Sequence, residues 1–127
     1  MREIIHTENA PKAIGPYSQA VKISCGTMIF CAGQTPLDPK TMVLVGETAA
    51  EQCKQVMANI QAVLKAAGAD FSNVVKTTIF LKDMNDFASV NEVYGGYFSA
   101  PPPARSTVEV SRLPKDCRVE IEVIAMA

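Results

Sequence analysis

The sequence is poor in the groups on which much protein chemistry depends. A single histidine, His6, serves 127 residues, and the four cysteines, Cys25, Cys31, Cys53 and Cys117, form no CxxC pair. The usual zinc spacings and a redox dithiol are therefore missing, and no metal is expected. The thiols lie mostly in apolar segments and read as small core residues. Charge is also scarce: 12 basic against 13 acidic residues leave a formal net charge of −1. Without a basic field, nucleic acid is a poor partner for this chain. No apolar run approaches the ~20 residues that cross a bilayer. The opening Met1-Arg2-Glu3-Ile4-Ile5-His6 lacks the apolar stretch of a secretory signal, so the expected location is the cytoplasm. Repeats, linkers and low-complexity segments are absent too, which predicts one domain over residues 1–127.

What is present is apolar material, 48% of the chain, arranged with clear periods. Ser18 to Ser24 and Thr27 to Gly33 favour strands, and the intervening Cys25-Gly26 predicts a hairpin. Met28-Ile29-Phe30-Cys31-Ala32 is apolar on both faces, which implies a layer on each side of the sheet: helices on one, a partner subunit on the other. Thr48 and Glu51 have capping-box spacing. Cys53, Val56, Met57, Ile60, Val63, Leu64 and Ala67 then recur at three and four residues until Gly68, as in an amphipathic helix. Val74 to Leu81 reads as a strand, and Asn85 or Asp86 as the cap of a second helix carrying Phe87, Val90, Tyr94, Tyr97 and Phe98. Gly95-Gly96 should loosen its last turn, and Pro101-Pro102-Pro103 cannot continue it. Ala104 to Val110 and Arg118 to Ala125 then read as a hairpin with a longer loop. The resulting fold class is α+β, a single-layer mixed sheet with two helices packed on one face.

Strand parity singles out a candidate site, because alternate side chains point to opposite faces. Ser106, Val108 and Val110 share one face, and Arg105, Thr107 and Glu109 the other; in the last strand Val119, Ile121, Val123 and Ala125 alternate with Arg118, Glu120 and Glu122. If both apolar sets pack on the helices, Arg105, Thr107 and Glu120 share the opposite face. Such a face fits a solvated surface with a weak Arg105–Glu120 ion pair. It also fits a carboxylate grip by a planar guanidinium, beside a hydroxyl and a carboxylate that orient water. Pattern alone does not choose.

Four segments resemble one family. Pro103-Ala104-Arg105-Ser106-Thr107-Val108-Glu109-Val110, followed by Leu113-Pro114-Lys115 and Val119-Glu120-Ile121-Glu122, is similar to the C-terminal signature of the RidA, or YjgF, family. Ile14-Gly15-Pro16-Tyr17-Ser18-Gln19-Ala20, Gly33-Gln34-Thr35-Pro36-Leu37-Asp38-Pro39 and Val75-Lys76-Thr77-Thr78-Ile79-Phe80-Leu81-Lys82-Asp83 resemble its other motifs, in order and end to end. The resemblance implies a chorismate-mutase-like fold built into a homotrimer with an inner barrel and a pocket at each subunit interface. It further implies a metal- and cofactor-free 2-iminobutanoate/2-iminopropanoate deaminase, acting on enamines and imines released by pyridoxal-phosphate enzymes. By the same resemblance Arg105 binds the substrate carboxylate and Glu120 helps place the attacking water, while Tyr17 and backbone groups around Gly33 and Thr107 line the pocket. Two departures bear on substrate preference: Thr107 stands where many members have cysteine, and Ala32 where some have serine.

Two other functions compete on the sequence. A non-catalytic trimer sensing a small carboxylate would use the same arginine. A translation-inhibiting endoribonuclease, an activity attributed to some relatives, is disfavoured by the lone histidine, near-neutral charge and lack of an aromatic-basic stripe.

Overall fold

The computed structural model describes residues 1–99 and 101–127. In chain order the elements are β1 (Arg2–Ile5), β2 (Ala20–Ile23), β3 (Met28–Gln34), α1 (Ala49–Ala66), β4 (Val74–Leu81), α2 (Phe87–Gly95), β5 (Ala104–Glu109) and β6 (Val119–Met126). The four-stranded sheet runs β3-β6-β4-β5, and a separate two-stranded sheet pairs β1 with β2. Both helices cover one face of the larger sheet, the α+β arrangement the sequence predicts. No helix among the described residues is long and apolar enough to cross a membrane.

Local signals place the helices well. Thr48 Oγ1 accepts the Glu51 N–H at 3.1 Å, and Gly68 takes the left-handed φ of +74° just beyond the last turn of α1. The inner face of α1 buries Cys53, Val56, Met57, Ile60 and Leu64, together with Ala49 and Gln52. Val63 and Ala67, read as part of that stripe, are exposed. Each large buried side chain stabilises by about 1.5–3 kcal/mol, so Ile60→Ala should cost about 2–5 kcal/mol. Of the cysteines, Cys31, Cys53 and Cys117 are buried and Cys25 is exposed. Burial pushes the Cys53 thiol up to about 12, which makes it an inert core group.

The start of α2 differs from expectation. Asp83, not Asn85 or Asp86, supplies the side-chain cap, accepting the Asn85 N–H at 2.9 Å in a short 3₁₀ turn, Met84–Asp86, that leads into the helix. Asp86 occupies the N-cap position without a side-chain hydrogen bond. At the other end the helix stops at Gly95, so Tyr97 and Phe98 lie beyond it. They still pack against the core, with Phe98 4.8 Å from the Tyr94 ring.

Neither predicted hairpin forms. β2 pairs with β1, antiparallel from Arg2↔Ile23 to Ile5↔Ala20, while β3 pairs with β6. β5 and β6, adjacent in sequence, are separated by β4, which runs parallel to β5 and antiparallel to β6. The cause is the α2 crossover, which carries the chain back to the end where β4 began and so forces β5 to run parallel to it. β6 then fills the slot on the far side of β4.

Register assigns the faces. Thr77, Ile79 and Leu81 of β4 align with Val123, Ile121 and Val119 of β6, and this set is buried under the helices. The other face carries Glu120 and Glu122 with Phe30, Met28 and Val108, and these three apolar side chains are 70%, 53% and 41% exposed.

Candidate active site

Arg105 lies on β5, directly beside Thr77 of β4, and therefore points to the helix-covered face. The inward face of α2 meets it there. Phe87, Asn91 and Tyr94 fall at i, i+4 and i+7, the spacing that lines one side of a helix. The Arg105 Nη1 donates to Asn91 Oδ1. Its guanidinium carbon sits 5.5 Å from the centre of the Phe87 ring and 5.2 Å from that of Tyr94. A third ring, Tyr17, stands 5.4 Å away. Tyr17 is brought in by the turn at Gly15-Pro16, where its N–H donates to the Gly15 carbonyl at 2.7 Å. The next residue locks the turn to the start of β5: Ser18 N–H donates to the Pro103 carbonyl at 2.9 Å, and its hydroxyl to that of Pro102.

The guanidinium is half-buried, and no carboxylate among the described residues pairs with it. Burial pulls its pKa below the ordinary arginine value, an effect opposed by Tyr94 and Tyr17. It stays charged at any physiological pH. Each ring face adds an attraction of about 0.5–2 kcal/mol to the cation, which holds the group in place while leaving donors free. The chemical capacity of this arrangement is a seat for one small anion.

Glu120 sits elsewhere. On β6 it aligns with Phe80, on the face turned away from the helices. Its carboxylate lies over Gly33 at the irregular end of β3, where a Cβ on residue 33 would come within 2.1 Å of Glu120 Oε2. Only glycine leaves that space. Burial, and next the neighbouring Glu122, raise the Glu120 pKa above the ordinary glutamate value.

The face assignment from parity is thus corrected. Arg105 and Thr107 share the helix side, and Glu120 the other, so within one chain they do not meet. The error lay in taking Val108 as inward: β5 is an edge strand whose Ser106 and Val108 point away from the helices. Thr107 follows Arg105 on the inner face, with Oγ1 buried and without a hydrogen-bond partner. Of the five residues singled out from the sequence, Tyr17 joins Arg105 in one cluster and Gly33 joins Glu120 in another. Sequence reasoning missed Phe87 and Asn91 as site residues and took Tyr94 for core alone. The available signal was a polar Asn91 set in the middle of an otherwise apolar helix stripe.

Comparison with known proteins supplies the context. A family model described as "Endoribonuclease L-PSP" matches residues 7–127. A RutC family protein of Pyrococcus horikoshii is 58% identical over 125 residues, covering 98% of each chain. The mouse protein named 2-iminobutanoate/2-iminopropanoate deaminase is 51% identical over 126 residues, 99% of this chain and 92% of the mouse one. Among solved structures, the yjgF gene product of Escherichia coli superposes with a TM-score of 0.75 at 49% identity, covering 98% of both chains.

Proposed function

Because the chain belongs to the endoribonuclease L-PSP family, the RidA or YjgF family, we propose that it is a cytoplasmic enamine/imine deaminase that hydrolyses 2-iminobutanoate and 2-iminopropanoate to the 2-keto acids and ammonia. The observation that carries this reading is the Arg105 seat: a half-buried cation, walled by three rings, held by a neutral amide and unpaired with any described carboxylate. A 2-imino acid offers the complementary group, a carboxylate next to an electrophilic C=N carbon. Bidentate binding would hold that carbon at a fixed distance from the guanidinium.

The second half of the site comes from another copy of the chain. Arg105 and Glu120 occupy opposite faces, so one small molecule reaches both only when Glu120 is supplied by a neighbouring subunit. The exposed Phe30, Met28 and Val108 favour such an assembly, since an open apolar sheet face is an aggregation hazard in a monomer. We assign the assembly as a homotrimer, three open faces turned inward as a barrel, with Tyr17, Arg105 and the Thr107 backbone of one subunit facing Gly33 and Glu120 of the next.

The chemistry balances without a cofactor. Glu120 takes a proton from water as the oxygen attacks the C=N carbon and passes it to the imine nitrogen, giving a neutral carbinolamine. Glu120 then moves the hydroxyl proton to that nitrogen as the C–N bond breaks, releasing ammonia, leaving the keto group and returning the carboxylate to its ionised form. Proton transfer contributes about 10²–10⁴-fold and fixed orientation adds to it. A nuclease reading finds little footing: the lone histidine is exposed beside Glu8, and the net charge is −1.

Subunit mixing tests the proposal. Arg105→Ala and Glu120→Gln proteins should each keep only a residual rate, reduced about 10²-fold or more, in a coupled assay that follows loss of the imine. Dissociated and reassembled together, they should regain activity at about a quarter of the sites, those pairing an intact arginine with an intact glutamate across the cyclic interface. Mixed oligomers that remain at the residual rate would overturn the shared site. An Arg105→Ala protein as fast as wild type would overturn the deaminase assignment itself.

A further inference from the structure

Beneath the arginine seat lies a polar pair that the reaction does not use. Thr77 Oγ1 and the Tyr94 hydroxyl are 2.8 Å apart, and the two residues are 1% and 0% exposed. They are among the few polar groups inside an otherwise apolar core, which is unusual for a place where valine and phenylalanine would fill the same volume. Exchanging both partners for apolar groups of the same shape is close to neutral for stability, whereas orphaning one of them is costly. Fold stability therefore does not explain the pair.

Its position does suggest a purpose. Thr77 is the cross-strand neighbour of Arg105, so their side chains leave adjacent strands on the same face. The Thr77 hydroxyl holds the phenol end of Tyr94, and the other end of that side chain is fixed to α2. The ring so clamped is the nearest of the three to the Arg105 guanidinium, at 5.2 Å. Without the clamp, whichever of the two hydroxyls is removed, the far end of the ring loses its anchor and the ring face turns away from the cation.

Resting on the reading that Arg105 grips the substrate carboxylate, we propose that Thr77 is a positioning residue, which sets the carboxylate seat by clamping the Tyr94 ring beneath the guanidinium. Burial pushes the Tyr94 hydroxyl up to about 12, so it remains a neutral phenol able to serve as donor or acceptor throughout the working range. The device is a chain of three residues joined by two contacts, from strand to helix to strand, that makes the orientation of Arg105 depend on one hydroxyl outside the site.

The test is a double-mutant cycle read by binding. Calorimetric titration of 2-oxobutanoate into the purified oligomer, with thermal denaturation in parallel, is done for wild type, Thr77→Val, Thr77→Ser, Tyr94→Phe and Thr77→Val/Tyr94→Phe. Thr77→Val should weaken 2-oxobutanoate binding about fivefold to tenfold, the scale of one unsatisfied buried hydroxyl. In turnover of 2-iminobutanoate it should raise KM more than it lowers kcat. Thr77→Ser, which keeps the hydroxyl, should bind like wild type, and the double variant should bind no worse than Tyr94→Phe alone. Thr77→Val and Tyr94→Phe effects that simply multiply, or Thr77→Val binding at wild-type strength whatever its thermal stability, would overturn the proposal. Should Thr77→Val not assemble, Tyr94→Phe decides: unchanged affinity there overturns it. Arg105→Ala separates the two levels. If that variant still binds 2-oxobutanoate as wild type does, the seat itself is wrong; if it alone loses binding, only the clamp is.

Discussion

Replacing Gly33 by alanine should cost activity while leaving the fold intact. Gly33 does not occupy the left-handed region, so its backbone accepts an L-residue, and the substitution even removes some freedom from the unfolded chain. What the new methyl meets is Glu120: 2.1 Å to Oε2, 3.0 Å to Cδ and 3.3 Å to Cγ. A carbon needs about 3.4 Å or more from these atoms. The carboxylate must therefore retreat by more than about 1 Å, the scale of misplacement that costs on the order of 10²-fold in rate. The clash involves the flexible end of a side chain and no backbone atom, so stability should change by no more than about 0.5 kcal/mol. The coupled imine assay then shows kcat/KM reduced about 10²-fold at an unchanged denaturation midpoint. In a Glu120→Ala background the same substitution should have no further effect, because the group it displaces is already gone. Gly33→Ala with wild-type kcat/KM, or an equal additional loss without Glu120, would refute the argument that glycine is there to seat this carboxylate.

Two further outcomes follow from the environments of the site residues. Because burial and Glu122 raise the Glu120 pKa, and the base acts only when ionised, kcat/KM should fall on the acid side with a midpoint above the ordinary glutamate value of about 4.3; the fall should vanish in Glu120→Gln, and a limb that persists in that variant belongs to another group. Thr107→Val removes a buried hydroxyl without a partner, whose burial carries a penalty of about 1–3 kcal/mol, so chemical denaturation should show a stability gain of about 1 kcal/mol or more. Activity should stay within a few-fold, since only backbone groups of that residue are assigned to the pocket; loss of stability would show that the hydroxyl is satisfied in the assembly.

The sequence by itself determined the elements whose causes are local. α1 could be read because Thr48, the three-and-four spacing of Cys53 to Leu64 and Gly68 all lie within one helix length, and β4 because its residues from Val74 to Leu81 share one propensity. Arg105 and Glu120 stood out as candidates in the same sense, as residue types in a family pattern. Only the tertiary structure decided which strands are neighbours. Both expected hairpins assumed that adjacent strands pair, whereas the crossover through α2 sets β4 between β5 and β6, and β1 claims β2. The side of the sheet on which Arg105 falls followed from that register, not from its own alternation, because an edge strand can present either parity inward. Strand pairing is a contest between segments far apart in the chain, and hydrogen bonds between backbones carry no label of the residues that make them. The division of the candidate site residues into two clusters, one on each face, is the product of that contest, and it lies beyond what any single strand records.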